Sequence, residues 1–71
     1  MAVEYTSHSR LRMTERRVLA SDVMIVLAEP DEIQYGEDGE LIAHKIMGRR
    51  TIVVVFHEFR NVRRVITVMV R

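Results

Sequence analysis

Seventy-one residues, 48% hydrophobic and 30% charged, are expected to make one folded domain over 1–71, near the lower size limit for a self-sufficient core. There is no cysteine, and the longest apolar run, Ile52 to Phe56, is too short to cross a bilayer. A disulfide scaffold and a thiolate metal site are therefore excluded, and a cytoplasmic setting without membrane attachment is expected. The net charge of +1 hides an uneven distribution: residues 21–40 hold seven acids and no base, whereas residues 41–71 hold seven bases and one acid. Ten of the eleven bases are arginine, whose fork suits bidentate phosphate recognition, although two halves neutralising each other across a surface would show the same distribution.

In chain order, Val3 to Thr6 reads as a short edge strand, and Thr6 and Ser7 offer N-cap hydroxyls for a helix running to about Arg17. Ser21-Asp22 is expected to open a second helix through Ala28, with Val23, Val26 and Leu27 on one buried stripe and Pro30 ending it. Ile33 and Tyr35 then alternate with polar residues before the turn signal Gly36-Glu37-Asp38-Gly39. Leu41 to Met47, Thr51 to Phe59 and Val62 to Val70 read as strands joined by turns at Gly48-Arg49-Arg50 and Arg60-Asn61. Connections this short imply an antiparallel meander. The expected fold is α+β: two short N-terminal helices packed on an antiparallel sheet of three to four strands.

The strands carry apolar residues on both faces. Ile52, Val54 and Phe56 oppose Val53, Val55 and Phe59, and simple alternation sets Ile66, Val68 and Val70 opposite Val65 and Met69. Two short helices cover one face of such a sheet, so the other is expected to meet a twin subunit, as in a homodimer, or another partner chain.

The tightest group with chemical potential lies on the first helix. His8, Arg12 and Arg16 are spaced four apart, so each step turns only about 40° around the axis, and Glu15 falls in the same sector. An imidazole beside two guanidiniums can move the proton of a 2′-hydroxyl and bind the phosphate it attacks, without a metal. An exposed helix on which Glu15 pairs with Arg12 explains the same spacing. Arg49 and Arg50 in one turn, with Arg60, Arg63 and Arg64 at the last hairpin, form a second basic group able to hold an RNA backbone. Arginine at turns and edges also guards against aggregation. His44 and His57 lack partners at metal-ligand spacing, so no metal and no cofactor are expected, and the few aromatic residues form no visible stacking platform.

The string from His8 to Arg16, with Arg12-Met13 inside it, then Glu29-Pro30-Asp31, Gly48-Arg49-Arg50 and Val65-Ile66-Thr67-Val68, resembles an uncharacterised prokaryotic domain family marked by an H-x-x-x-R-M-x-x-R helix. That family is grouped with the RelE/BrnT-like ribonuclease toxins of type II toxin–antitoxin modules. The resemblance implies a RelE-like fold and a metal-independent ribonuclease acting on RNA and restrained by a small antitoxin protein. It implies His8 as acid or base, Arg12 and Arg16 on phosphate, Arg50 assisting from the sheet, and Thr67 as a structural residue. Two departures stand out: Arg17 replaces the family's glycine between the helices, and Met69 replaces a common aromatic residue. A non-catalytic homodimeric interaction domain and an RNA-binding module without cleavage are the alternatives.

Overall fold

The computed structural model describes residues 1–71, in the order β1 (Ala2–Tyr5), α1 (Ser7–Arg16), α2 (Ala20–Ala28), β2 (Glu32–Tyr35), β3 (Leu41–Met47), β4 (Arg50–Phe59) and β5 (Val62–Val70). The architecture is α+β, with two helices and a five-stranded sheet ordered β1-β5-β4-β3-β2. The sheet thus exceeds the expected three to four strands because both marginal segments, β1 and β2, join it. It is also mixed. From β2 to β5 every pairing is antiparallel, but β1 runs parallel to β5, from Ala2↔Val62 to Tyr5↔Val65. A parallel pair needs a long crossover, and here the rest of the chain supplies it.

Local chemistry sets the helix ends. The Thr6 hydroxyl accepts from the Ser9 N–H at 3.0 Å and donates to the Ile66 carbonyl at 3.1 Å, so one side chain caps α1 and ties it to β5. Arg17 ends α1 in the left-handed conformation, at φ 53°, with its N–H directed to the Met13 and Thr14 carbonyls. Helix α2 starts one residue earlier than expected, and Ser21-Asp22 lies inside it. Its N-cap is Leu19, whose N–H donates to the Asp22 carboxylate at 2.9 Å.

One layer of core lies between the helices and the sheet. Val18, Val23, Val26 and Leu27 meet Ala43, Ile52, Val54, Phe56, Val65 and Val68. Val65 and Val68 share this face although they are three residues apart. A β-bulge explains it: Val55 pairs with Thr67 but Phe56 pairs with Val65, leaving Ile66 unpaired. Simple alternation therefore assigned Val65 to the wrong face. The opposite sheet face carries Ile42, Val53, Val55 and Met69 and has no helix over it; Val53 is nonetheless buried, shielded by its strand neighbours. No helix is long and apolar enough to cross a membrane.

Candidate functional site

Helix α1 presents His8 exposed on its first turn, with no hydrogen-bonding partner, while Arg12 and Arg16 follow on successive turns, both half-buried. Glu15 holds both guanidiniums: Arg12 Nη1 lies 2.6 Å from its carboxylate and Arg16 Nη1 lies 3.9 Å away. These side chains are about 40% exposed, so the pairs are weak and exchangeable with another anion.

Arg50 stands at the start of β4, and its guanidinium is already committed. It donates to the carbonyls of Arg16 at 3.1 Å and Arg17 at 2.9 Å, and lies 3.5 Å from the Asp22 carboxylate. One side chain thereby satisfies carbonyls at the end of α1 and meets the residue that caps α2. The geometry makes Arg50 a clamp on the helix junction, turned to the backbone.

The second basic group divides three ways. Arg49 is exposed in the β3–β4 turn, at the far end of β4 from Arg60; ten strand residues at about 3.3 Å each set the two hairpins roughly 30 Å apart. Arg63 points to the helix side, where it donates to the Leu27 carbonyl at 3.3 Å and lies over the Phe56 ring at 5.8 Å from its centroid. Its Nε is buried without a hydrogen bond, 3.7 Å from Glu58. Arg60 and Arg64 remain together on the uncovered side.

There they help line an open cavity of about 350 Å³ with Glu4, His57, Phe59 and Val62. His57 faces Arg64 across β4–β5, and Glu4 faces Arg64 across β1–β5, its carboxylate 3.6 Å from the guanidinium. Phe59 is 71% exposed, and the Arg60 guanidinium lies 5.3 Å from its ring centroid. Sequence reasoning did not find this grouping. It could see that His57 and Phe59 share a strand face, but the register that brings Arg64 and Glu4 beside them comes only from pairing.

A larger groove of about 490 Å³ runs between α1 and the start of α2, lined partly by Tyr5, Arg10 and Met13. Burial raises the Tyr5 phenol above its ordinary pKa, while Arg10, 5.7 Å over its ring, pulls it back. Tyr5 is accordingly a protonated packing residue near neutral pH. No three His, Asp or Glu side chains are grouped to hold a metal ion.

A family model described as a domain of unknown function, DUF4258, matches residues 5–70. The chain belongs to this family. The matched span runs from the last residue of β1 to the end of β5, so the DUF4258 domain includes α1, the Arg50 clamp and the β4–β5 hairpin. No curated protein and no solved structure matches the chain.

Proposed function

We propose that this DUF4258 domain is a metal-independent ribonuclease of the RelE/BrnT-like kind, a toxin whose partner is a small antitoxin protein. The supporting observation is His8, an exposed and unengaged imidazole with two guanidiniums on the same flank of α1. In the reaction, the 2′-oxygen of a ribose attacks the adjoining phosphorus as His8 takes its proton. The bond to the 5′-oxygen breaks, leaving a 2′,3′-cyclic phosphate, and the leaving oxygen is protonated by His8 or water. Arg12 and Arg16 exchange Glu15 for the phosphate and stabilise the charge that develops there. Arg50 acts as a positioning residue, holding the C-terminal end of α1 against the sheet.

The test is cleavage of end-labelled RNA by purified protein in excess chelator, with His8→Ala alongside. The expected loss is about a hundredfold or more, the usual range for general acid–base catalysis. Equal cleavage by the variant, or none by a folded wild type with and without ribosomes, rejects the reading. Growth arrest on expression, relieved by the product of the neighbouring gene, tests the toxin–antitoxin part.

A second reading has its own support. The 2.6 Å pair between Arg12 and Glu15 and the uncovered apolar sheet face are what a non-catalytic interaction domain would show. It predicts an inert His8→Ala variant and self-association in sedimentation that a charged residue at Val55 or Met69 abolishes. An RNA-binding module without cleavage would instead bind RNA and leave it intact.

A further inference from the structure

We propose that the cavity at the β4–β5 hairpin is a nucleotide subsite for single-stranded RNA, in which Phe59 stacks on a base while Arg60, Arg64 and His57 hold the adjoining phosphodiester. The inference deepens the RNA reading and rests on it for the identity of the polymer. It does not rest on His8 or on cleavage.

Register builds the site. Glu4, Arg64 and His57 form one lateral row on the uncovered face, drawn from β1, β5 and β4, and Val62 and Phe59 form the next row. Neighbouring strands lie about 4.8 Å apart, so Glu4 and His57 stand roughly 10 Å from each other with Arg64 between them. The volume of about 350 Å³ sits at the small end of ligand sites, suited to one nucleotide unit.

Each lining group matches a part of that unit. Phe59 offers an apolar ring to solvent and gives nothing to the core, and the Arg60 guanidinium beside it adds a second flat surface of the kind on which bases stack. Arg64 is partly neutralised by Glu4, whereas Arg60 has no carboxylate partner, which leaves about one positive charge on the arginine pair. That balance suits the single negative charge of an internal phosphodiester better than the doubly charged end of a mononucleotide.

The backbone points the same way. Phe59 and Val62 close the hairpin as a pair, leaving Arg60 and Asn61 as its two-residue loop, and Arg60 sits at φ 58°. At the other end of β4 the equally short loop puts Gly48 at φ 68°, the residue that adopts this conformation without strain. An arginine at the strained position of a loop that glycine could close is explained by its side chain, and strain of this kind gathers at ligand sites.

The experiment measures anisotropy of fluorescein-labelled, 2′-O-methylated hexa-adenylate, which cannot be cleaved through its 2′-oxygen, with the full chain. Phe59→Ala is expected to weaken binding about tenfold and Phe59→Tyr to restore it, as one lost base stack implies. An abasic oligomer of equal length should bind as weakly to wild type as hexa-adenylate does to Phe59→Ala. Arg60→Gly should raise the melting temperature yet weaken binding about fivefold and flatten its salt dependence by about one phosphate contact. Unchanged affinity in Phe59→Ala, or equal binding of abasic and intact oligomers by wild type, overturns the subsite. Displacement of the oligomer from wild type by poly-glutamate at equal charge concentration would also overturn it, marking a general anion patch that an acidic protein could fill. The two readings fail separately: wild type that binds but never cuts removes the ribonuclease and keeps the subsite, whereas His8-dependent cleavage with unchanged Phe59→Ala binding does the reverse.

Discussion

Two arginines in this domain have a left-handed backbone, Arg17 at φ 53° and Arg60 at φ 58°, and the two regions use it in opposite ways. At Arg17 the conformation serves the fold. Its N–H reaches carbonyls in the last turn of α1, and its own carbonyl accepts from Arg50, so the main-chain polar groups are repaid with hydrogen bonds. At Arg60 the loop reverses the chain between β4 and β5 and, through the Asn61 carbonyl, accepts from the Ala2 N–H at 2.8 Å; a glycine at 60 could do the same, and the Arg60 side chain lies on an exposed ring. The same backbone outlier is structural where its amide and carbonyl are engaged, and a pointer to a ligand where only its side chain is. Charge divides in a similar way among the candidate site residues: Glu15 engages Arg12 and Arg16 and backbone carbonyls engage Arg50, while the hairpin leaves Arg60 without a carboxylate partner.

That contrast can be sharpened or broken in order of expected effect. The largest is on activity: His8→Ala should abolish about 99% of cleavage while leaving hexa-adenylate affinity within twofold, whereas Phe59→Ala should weaken that affinity about tenfold. Next is the junction. Arg50→Ala should cost about 2 kcal/mol in urea unfolding, since it removes hydrogen bonds from a charged donor. Arg50→Lys should recover less than half of that, because a single ammonium does not reproduce the two-pronged contact. If Arg50→Ala instead leaves stability intact and lowers cleavage, Arg50 belongs to the chemistry and not to the clamp.

Smaller effects separate the two left-handed arginines. Replacing either by glycine should stabilise the fold by about 0.5 kcal/mol, the relief of left-handed strain less the added freedom of the unfolded chain. Only Arg60→Gly should weaken oligonucleotide binding; an equal loss in Arg17→Gly would erase the distinction between the regions. The smallest effect is a control away from both. The Ile46 N–H donates to the Asp31 carboxylate at 2.8 Å and is the main reason its pKa lies below the ordinary value; desolvation opposes this, and Lys45 at 3.5 Å adds a smaller lowering. A lowered folded-state pKa gives stability that is present above the unfolded value and lost as pH falls through the folded one. Asp31→Asn should therefore shallow the acid limb of the stability profile slightly, with no change at the hairpin or α1, and carboxyl chemical shifts would follow the titration directly.

Legibility of the candidate sites depended on how far apart their residues lie in the chain. The α1 group was readable because His8, Arg12 and Arg16 recur at helical spacing within nine residues. The basic set around the last hairpin looked like one patch, yet Arg63 turns to the helix side and joins Glu58 and the Leu27 carbonyl, while its neighbour Arg64 faces the cavity. Strand alternation can separate adjacent residues, but it cannot say that Glu4, sixty residues before Arg64, completes the row.

By itself the sequence determined what depends on neighbours along the chain: Thr6 as a cap, Pro30 as a stop, glycine at the β3–β4 turn, and the alternating faces of β4. These follow from turn preferences and from hydrogen bonds a few residues apart. Tertiary structure alone decided that β1 lies parallel to β5, that β5 bulges at Ile66 so that Val65 reaches the core, and that Arg50 is spent on the helix junction. Each is a contact between distant segments, chosen by which backbone groups and apolar surfaces remain unsatisfied once the local elements have formed.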